Sequence, residues 1–346
     1  MDLIERVADG AADGIEGAEA RAGAERGPAA ATRTVRVMTY NILSGGWPRV
    51  DALEAVMRAA RADVIGVQEV DPRTLEALAA RLGMHCALSP SARRGSPVGL
   101  LSRWPLRAIN RHPDAPLRNA LLEVVIAPDG PDGPDGAALR VFVTHLVASY
   151  RKWRAGEGER LRELAYILGQ MRAARERSGE PQLLMGDFNS LPPGERLLAS
   201  QLLLHAARND ARRAQGHDLT GQPGVKRVLP RPLRPLAGAL LRMVSLPGLG
   251  RASDAIIAVY TPRAVVRATR AAGLVDLYTV GRHDPRTREM SCPAERPAGR
   301  IDYIFASPTL AEGLVACDLL ADAPDCPVAR ASDHRPALAT LTIPTR

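Results

Sequence analysis

Apolar positions recur along the chain first every second residue and then every three or four, and the two periods alternate to its end. Residues 33–40 (RTVRVMTY) alternate and are β-branched, which predicts a strand. Residues 51–61 carry helical spacing, residues 63–69 (DVIGVQE) read as a buried strand, and residues 72–82 as a helix. Strands are expected at 98–101, 120–127 and 140–146. Between the last two lies PDGPDGPDG (128–136), whose Asp-Gly and Pro are turn chemistry, so an extended hairpin loop is expected there. A helix follows over 158–175, with Leu161, Leu164, Ala165, Leu168 and Met171 on one face. A strand at 182–186 and a helix at 194–205 come next. Beyond a different kind of segment, a helix at 261–272 and strands at 301–306, 314–320 and 337–343 complete the pattern.

Strands and helices thus alternate without a clear linker, and the hairpins imply mixed sheets. The expectation is one α/β domain over 33–346. Residues 1–32 read as Ala, Gly and charge, an expected mobile, acidic N-terminal extension.

The segment 219–253 breaks the pattern. It has no acidic residue, and Lys226, Arg227, Arg231, Arg234, Arg242 and Arg251 are interleaved with prolines and leucines. It reads as an insertion or long loop. Basic plus apolar is the pattern of a membrane or partner surface, centred on 222–251. The competing reading is a Pro-rich cover packed on the core, since the prolines argue against a long amphipathic helix.

Composition changes the picture little. An apolar share of 46% allows a sizeable core, and no apolar run reaches the length of a membrane span. The first residues lack the basic-then-apolar order of a secretory signal, so the cytoplasm is the expected compartment. The net charge of +8 favours polyanionic partners, but only Lys152 and Lys226 are lysine, and such an arginine bias looks like coding composition. Cys86, Cys292, Cys317 and Cys326 are too scattered for a close-spaced zinc or redox motif.

The candidate chemistry sits where apolar strands stop. Asn41 follows RVMTY, Glu69 lies in GVQEVD, and His145 in FVTHL. Asp187 and Asn189 lie in LLMGDFNSLP, Asp302 in GRIDYIF, and Asp333 and His334 in ASDHRP. Taken singly, Asn41 suits a strand-end turn, Glu69 a solvated charge, and Asn189 a helix cap. Together, carboxylate, amide and imidazole at strand ends suit hydrolysis of a phosphate ester. Such a reaction needs the phosphate charge neutralised and a nucleophile made. A hard cation such as Mg²⁺ takes carboxylate and amide oxygens, and Glu69 and Asn41 are suited to hold it. A histidine paired to a carboxylate supplies proton transfer. No G-x-x-x-x-G-K-[ST] loop occurs, so no nucleotide cofactor is expected.

MTYNIL, DVIGVQEVD, VTHL, GDFNSLP, RIDYIF and SDHRP occur in the order found in the endonuclease/exonuclease/phosphatase superfamily, which the chain resembles over about 34–343. The resemblance implies a four-layer α/β sandwich with two packed mixed β-sheets flanked by helices. It implies Asn41 and Glu69 as ligands of a catalytic Mg²⁺ or Mn²⁺, with Asp333 beside the metal. Asp187 would orient or deprotonate the attacking water, Asn189 would hold the phosphate, and His145 would bind a phosphate oxygen in the transition state. His334 would be the catalytic histidine, paired with Asp302, in a direct in-line attack by water.

On substrate the chain offers two directions. Arg151, Lys152 and Trp153 after the His145 strand suit a nucleic-acid backbone and a stacked base, which favours a nuclease; a solvated loop is the alternative. VTHL resembles the deoxyribonuclease I, sphingomyelinase and deadenylase branches, which disfavours abasic-site repair. The other direction is a phosphodiesterase or phosphatase for a lipid headgroup or small phosphate ester, drawing on 222–251 as a membrane contact.

Overall fold

A computed structural model describes residues 32–344 apart from 92, 94, 129–137, 149–153 and 282–288. The expected extension and nearly all of the PDG loop lie outside the described residues. In chain order the first half holds β1 (Thr32–Gly45), α1 (Val50–Ala60), β2 (Val64–Val70), α2 (Pro72–Leu82), β3 (His85–Ser89), β4 (Val98–Ser102), β5 (Leu106–Asn110), β6 (Leu121–Ile126) and β7 (Leu139–His145). Then come α3 (Arg154–Ser178), β8 (Gln182–Asp187), α4 (Ala199–Ala214), α5 (Val225–Val228), α6 (Ala237–Ser245), α7 (Pro247–Tyr260), α8 (Ala264–Ala271), β9 (Val275–Asp276) and α9 (Leu277–Gly281). The chain closes with β10 (Asp302–Ala306), α10 (Pro308–Ala311), β11 (Leu314–Leu319), the short pair β12 (Asp322–Ala323) and β13 (Cys326–Pro327), α11 (Val328–Ala331) and β14 (Ala337–Pro344).

Two six-stranded sheets result, ordered β11-β14-β1-β2-β4-β3 and β5-β6-β7-β8-β10-β9. Each is mixed. β1 runs parallel to β2 and antiparallel to β14, and β7 runs parallel to β8, which is antiparallel to β10. Period-two alternation sends side chains to two different cores. Val35, Val37, Val141, Val143, Leu183, Met185 and Ile304 fill the space between the sheets. Met38, Tyr40, Ile65 and Val67 turn the other way and meet Leu53, Val56, Leu75 and Leu78 of α1 and α2. Phe142, Leu184, Tyr303 and Phe305 meet Leu164, Ile167 and Met171 of α3 and Val265 and Val266 of α8. The outcome is the four-layer α/β sandwich, helices outside and sheets inside. Sheets covered on both faces explain why the strands read as apolar runs. At Gly66 the sheets approach closely: a Cβ there would stand 2.6 Å from Met185 Sδ.

Several expectations shift. β3 and β5 were not legible, because both have mixed polarity and β5 is largely exposed. The buried stripe of α3 runs through Leu164, Ile167, Met171 and Ala174, while Ala165 is exposed. The helix expected at 194–205 is instead Ala199–Ala214, since residues 191–198 form an irregular strap. The segment 219–253 is not a loop. It is largely helical, with α5, a 3₁₀ turn at Arg231–Leu236, α6 and the first half of α7. Pro247 stands at a helix start, where a missing N–H costs nothing, and Pro232 opens the 3₁₀ turn, which also contains Pro235.

Candidate active site

The inward column of each central strand ends in a polar residue at the same edge of the sandwich. On β1 the inward series Val35, Val37 and Thr39 ends at Asn41. On β7, Val141 and Val143 lead to His145, and on β8, Leu183 and Met185 lead to Asp187. Register then brings them together, since Asp187 lies directly beside both His145 and Asp302. Gly186 makes the approach tolerable: its φ is 150°, and a Cβ would collide with the Thr144 carbonyl.

Glu69 should by alternation point to the helix side, away from this edge. Its φ of 58° breaks the extended backbone and turns the carboxylate back toward Asn41. There Glu69 Oε1 accepts from Asn41 Nδ2 at 3.3 Å, and Oε2 accepts from the Ser44 N–H at 2.8 Å. Leu43, Ser44 and Asn189 also have positive φ, so left-handed backbone concentrates around the site.

Asn41 is the hub. Its Nδ2 also donates to Asp187 Oδ2 at 3.0 Å, while its Oδ1 accepts from the Leu43 N–H. Asp187 Oδ1 accepts from the Asn189 N–H at 2.8 Å. Asn189 Nδ2 donates to the Leu146 carbonyl at 2.9 Å and stands 3.2 Å from His145 Nε2. His145 Nε2 is 3.6 Å from Asp187 Oδ2. From the other side, His334 Nδ1 lies 2.9 Å from Asp302 Oδ2, leaving Nε2 3.9 Å from Asp187 Oδ2 and 4.0 Å from Asp333 Oδ1. Ser332 pins this loop to β1: its hydroxyl donates to the Asn41 carbonyl at 2.6 Å and accepts from the His334 N–H.

The electrostatics follow from burial and neighbours. Burial, with Asp302 adding to it, pushes the Asp187 carboxyl up to about 6 despite His334 and His145. Burial would pull the His334 imidazole down, but Asp302 and Cys292 outweigh it and hold it well above its usual value. Burial raises Asp333 as well. Glu69 is the exception: burial is outweighed by His145, the Ser44 N–H, His334 and Asn41, which keep its carboxyl below the usual range.

The eight residues expected in catalysis or metal binding therefore meet: Asn41, Glu69, His145, Asp187, Asn189, Asp302, Asp333 and His334. Arg151, Lys152 and Trp153 lie outside the described residues. Among the other histidines, His112 sits on Glu123 at 3.0 Å and His205 is buried in α4. The sequence reading missed Arg300. It is fully buried, donates to Glu195 at 2.7 and 2.9 Å and to Asp276 at 2.8 and 3.1 Å, and lies over the Tyr303 ring. It thereby anchors the start of β10, two residues before Asp302. Nothing in the sequence marked it, because the residues before it (ERPAG, 295–299) are themselves charged and turn-rich.

The donor set fits a hard divalent cation. Asp333 Oδ1 is buried without a hydrogen-bond partner among the described residues, and Glu69 and Asn41 bring a carboxylate and an amide oxygen to the same edge. Asp187, Asp302 and His334 also have atoms within 4.8 Å of one another, with Asp302 and His334 already paired to each other.

A charged imidazole, paired carboxylates and oriented amides at one edge of a two-sheet sandwich define a hydrolase of phosphoric esters. Residues 38–334 match the model of the Endonuclease/Exonuclease/phosphatase family, and the chain belongs to that family. Solved structures of similar fold include an AP endonuclease from Archaeoglobus fulgidus, at a TM-score of 0.54 and 16% identity over 89% of this chain and 99% of that one. A 3′ phosphatase, NExo, from Neisseria bound to a product DNA hairpin has a TM-score of 0.51 and 16% identity over 88% and 98% of the two chains. ANGEL2, a 2′,3′-cyclic phosphatase solved with adenosine-2′,3′-vanadate, has a TM-score of 0.55 and 21% identity over 90% and 96%. No curated protein sequence matches the chain.

Proposed function

We propose that the protein is a Mg²⁺- or Mn²⁺-dependent phosphodiesterase of the cytoplasm whose substrate is nucleic acid. The observation that carries the substrate is a pocket lined by Arg93, Arg118 and Arg162 with Pro116, Glu159 and Glu163. It adjoins the site through Glu163, which holds the N–H groups of Arg118 and Val147, two residues past His145. Arginines beside a phosphoester site suit the further phosphates of a strand.

Glu69 and Asn41, with Asp333, are assigned to the metal. Asp302 and His334 lie close enough to compete for it, but their carboxylate–imidazole hydrogen bond already commits them, and a charged His334 repels a cation. A divalent metal held there would supply charge stabilisation to the phosphoryl and leaving oxygens. Asp187, with its carboxyl near 6, takes the proton of the attacking water as the water oxygen bonds phosphorus and the bond to the leaving oxygen breaks in line. Asn189 and His145 hold the phosphate, and charged His334 faces the oxygens where negative charge grows.

A second reading, hydrolysis of a lipid headgroup or small phosphate ester, draws on the exposed apolar side chains of residues 233–259. The deciding experiment is divalent-metal-dependent hydrolysis of plasmid DNA, single-stranded RNA, sphingomyelin vesicles, an inositol polyphosphate and bis-nitrophenyl phosphate, with His334→Ala as blank. Cleavage of DNA or RNA, weakened by Arg118→Ala/Arg162→Ala, upholds the nuclease. Cleavage of vesicles or small esters with nucleic acid untouched replaces it with the second reading.

A further inference from the structure

The helices between residues 225 and 260 bury one face and expose an unusual other one. Leu203 and Ala206 of α4 pack with Val225, Leu229 and Val244, which fastens the segment to the domain. Its one acidic group, Asp254, also faces inward and accepts from both the N–H and the hydroxyl of Ser200 at 2.7 Å. On α7, at about 100° per residue, Leu249, Ala252, Ala255, Ile256 and Val259 share the opposite face, and all are exposed. Ile256 is 62% and Val259 80% exposed, and Leu236 and Leu246 continue the apolar surface at 53% and 56%. An ordinary surface helix turns its polar face outward; α7 does the reverse.

Arg251 lies on α7 itself, and further cations lie on the preceding α5, 3₁₀ turn and α6 of the same segment. Lys226, Arg227, Arg231, Arg242 and Arg251 are exposed, and none of them pairs with a carboxylate among the described residues. No helix among the described residues is long and apolar enough to cross a membrane. An apolar face with cations on the same segment and no counter-charge is complementary to a layer with an anionic surface over an apolar interior.

We infer that the outer face of α7, with the 3₁₀ turn and α6 beside it, docks the protein on an anionic lipid bilayer, lying in the interface rather than spanning it. Leu246, Leu249, Ile256 and Val259 enter the headgroup–acyl boundary, and the arginines contact lipid phosphates. The inference does not rest on the nuclease reading, because it concerns where the enzyme sits and not what it cleaves.

The test is co-sedimentation of the full chain with phosphatidylcholine vesicles, with and without phosphatidylglycerol. Binding is expected only to the anionic vesicles and should weaken with added salt. Leu249→Ser/Ile256→Ser/Val259→Ser should abolish it. These side chains are exposed, so hydrolysis of bis-nitrophenyl phosphate in the same samples should be unchanged. Arg231→Gln, Arg242→Gln and Arg251→Gln should each weaken binding by roughly fivefold. Absence of binding to anionic vesicles, or binding untouched by the triple substitution, overturns the inference. So does a concentration-dependent dimer that the triple substitution dissolves, since a second copy of the chain would then be what covers the face. In each of these cases the phosphodiesterase assignment would stand or fall on its own substrate panel.

Discussion

Replacing Arg300 by methionine keeps a long side chain but removes the cation that holds two buried carboxylates. In the intact protein, burial would raise Asp276, yet Arg300 and Arg270 bring its carboxyl down to about 2. Relative to its ordinary 3.8, that depression contributes roughly 2–3 kcal/mol of stability. The sign is that of a carboxylate with a lowered folded pKa: the contribution is present above 3.8 and is lost as pH falls through about 2. Without Arg300, Glu195 also loses both of its hydrogen bonds to the guanidinium. Breaking a buried pair from one side costs about 3–5 kcal/mol, because the remaining charges stay in a dry interior. For a domain of this size that lowers Tm by on the order of 10 °C at neutral pH. The deficit should narrow in acid, because Asp276, left with Arg270 alone, binds a proton more tightly in the folded variant than in the folded parent. Thermal melts followed by circular dichroism across pH measure this. Since Arg300 precedes Asp302 and touches no substrate, kcat should fall with KM little changed. A Tm equal to that of the parent at neutral pH, or a deficit that widens toward acid, refutes the reasoning.

Three further outcomes are expected. His334→Ala and Glu69→Ala should each lower kcat by at least about 10²-fold with circular dichroism unchanged, and either variant retaining full turnover removes that residue from the mechanism. Ser332→Ala removes the hydroxyl between the Asn41 carbonyl and the His334 N–H and should destabilise the protein by about 1–3 kcal/mol, read by urea denaturation. The metal-free protein should show, by carbon NMR, a carboxyl titrating near 6 that disappears in Asp187→Asn; a spectrum in which every carboxyl titrates below 5 contradicts the burial of Asp187.

The sequence by itself determined the strand-and-helix alternation and the polar residues that close the apolar strands. These are local properties: a period of two or of three to four, and a carboxylate or imidazole where a strand stops. It also singled out the residues that the fold gathers at one edge, because RIDYIF, GDFNSLP and SDHRP keep their polar groups within short runs. Only the tertiary structure decided how far the groups stand apart. Asp187 meets Asp302 through an antiparallel register and His145 through a parallel one, and neither pairing is written in any single segment. The inversion of Glu69 needed a left-handed backbone at a non-glycine position, which no periodicity announces. Arg300 was invisible for a related reason. An isolated arginine reads as surface until Glu195 and Asp276, from 105 and 24 positions away, close around it. Residues 219–253 looked like a loop because prolines and basic residues mask helical spacing. Their helices, and the apolar face left outward on α7, follow from packing against α4, which settles which side of the segment is inside.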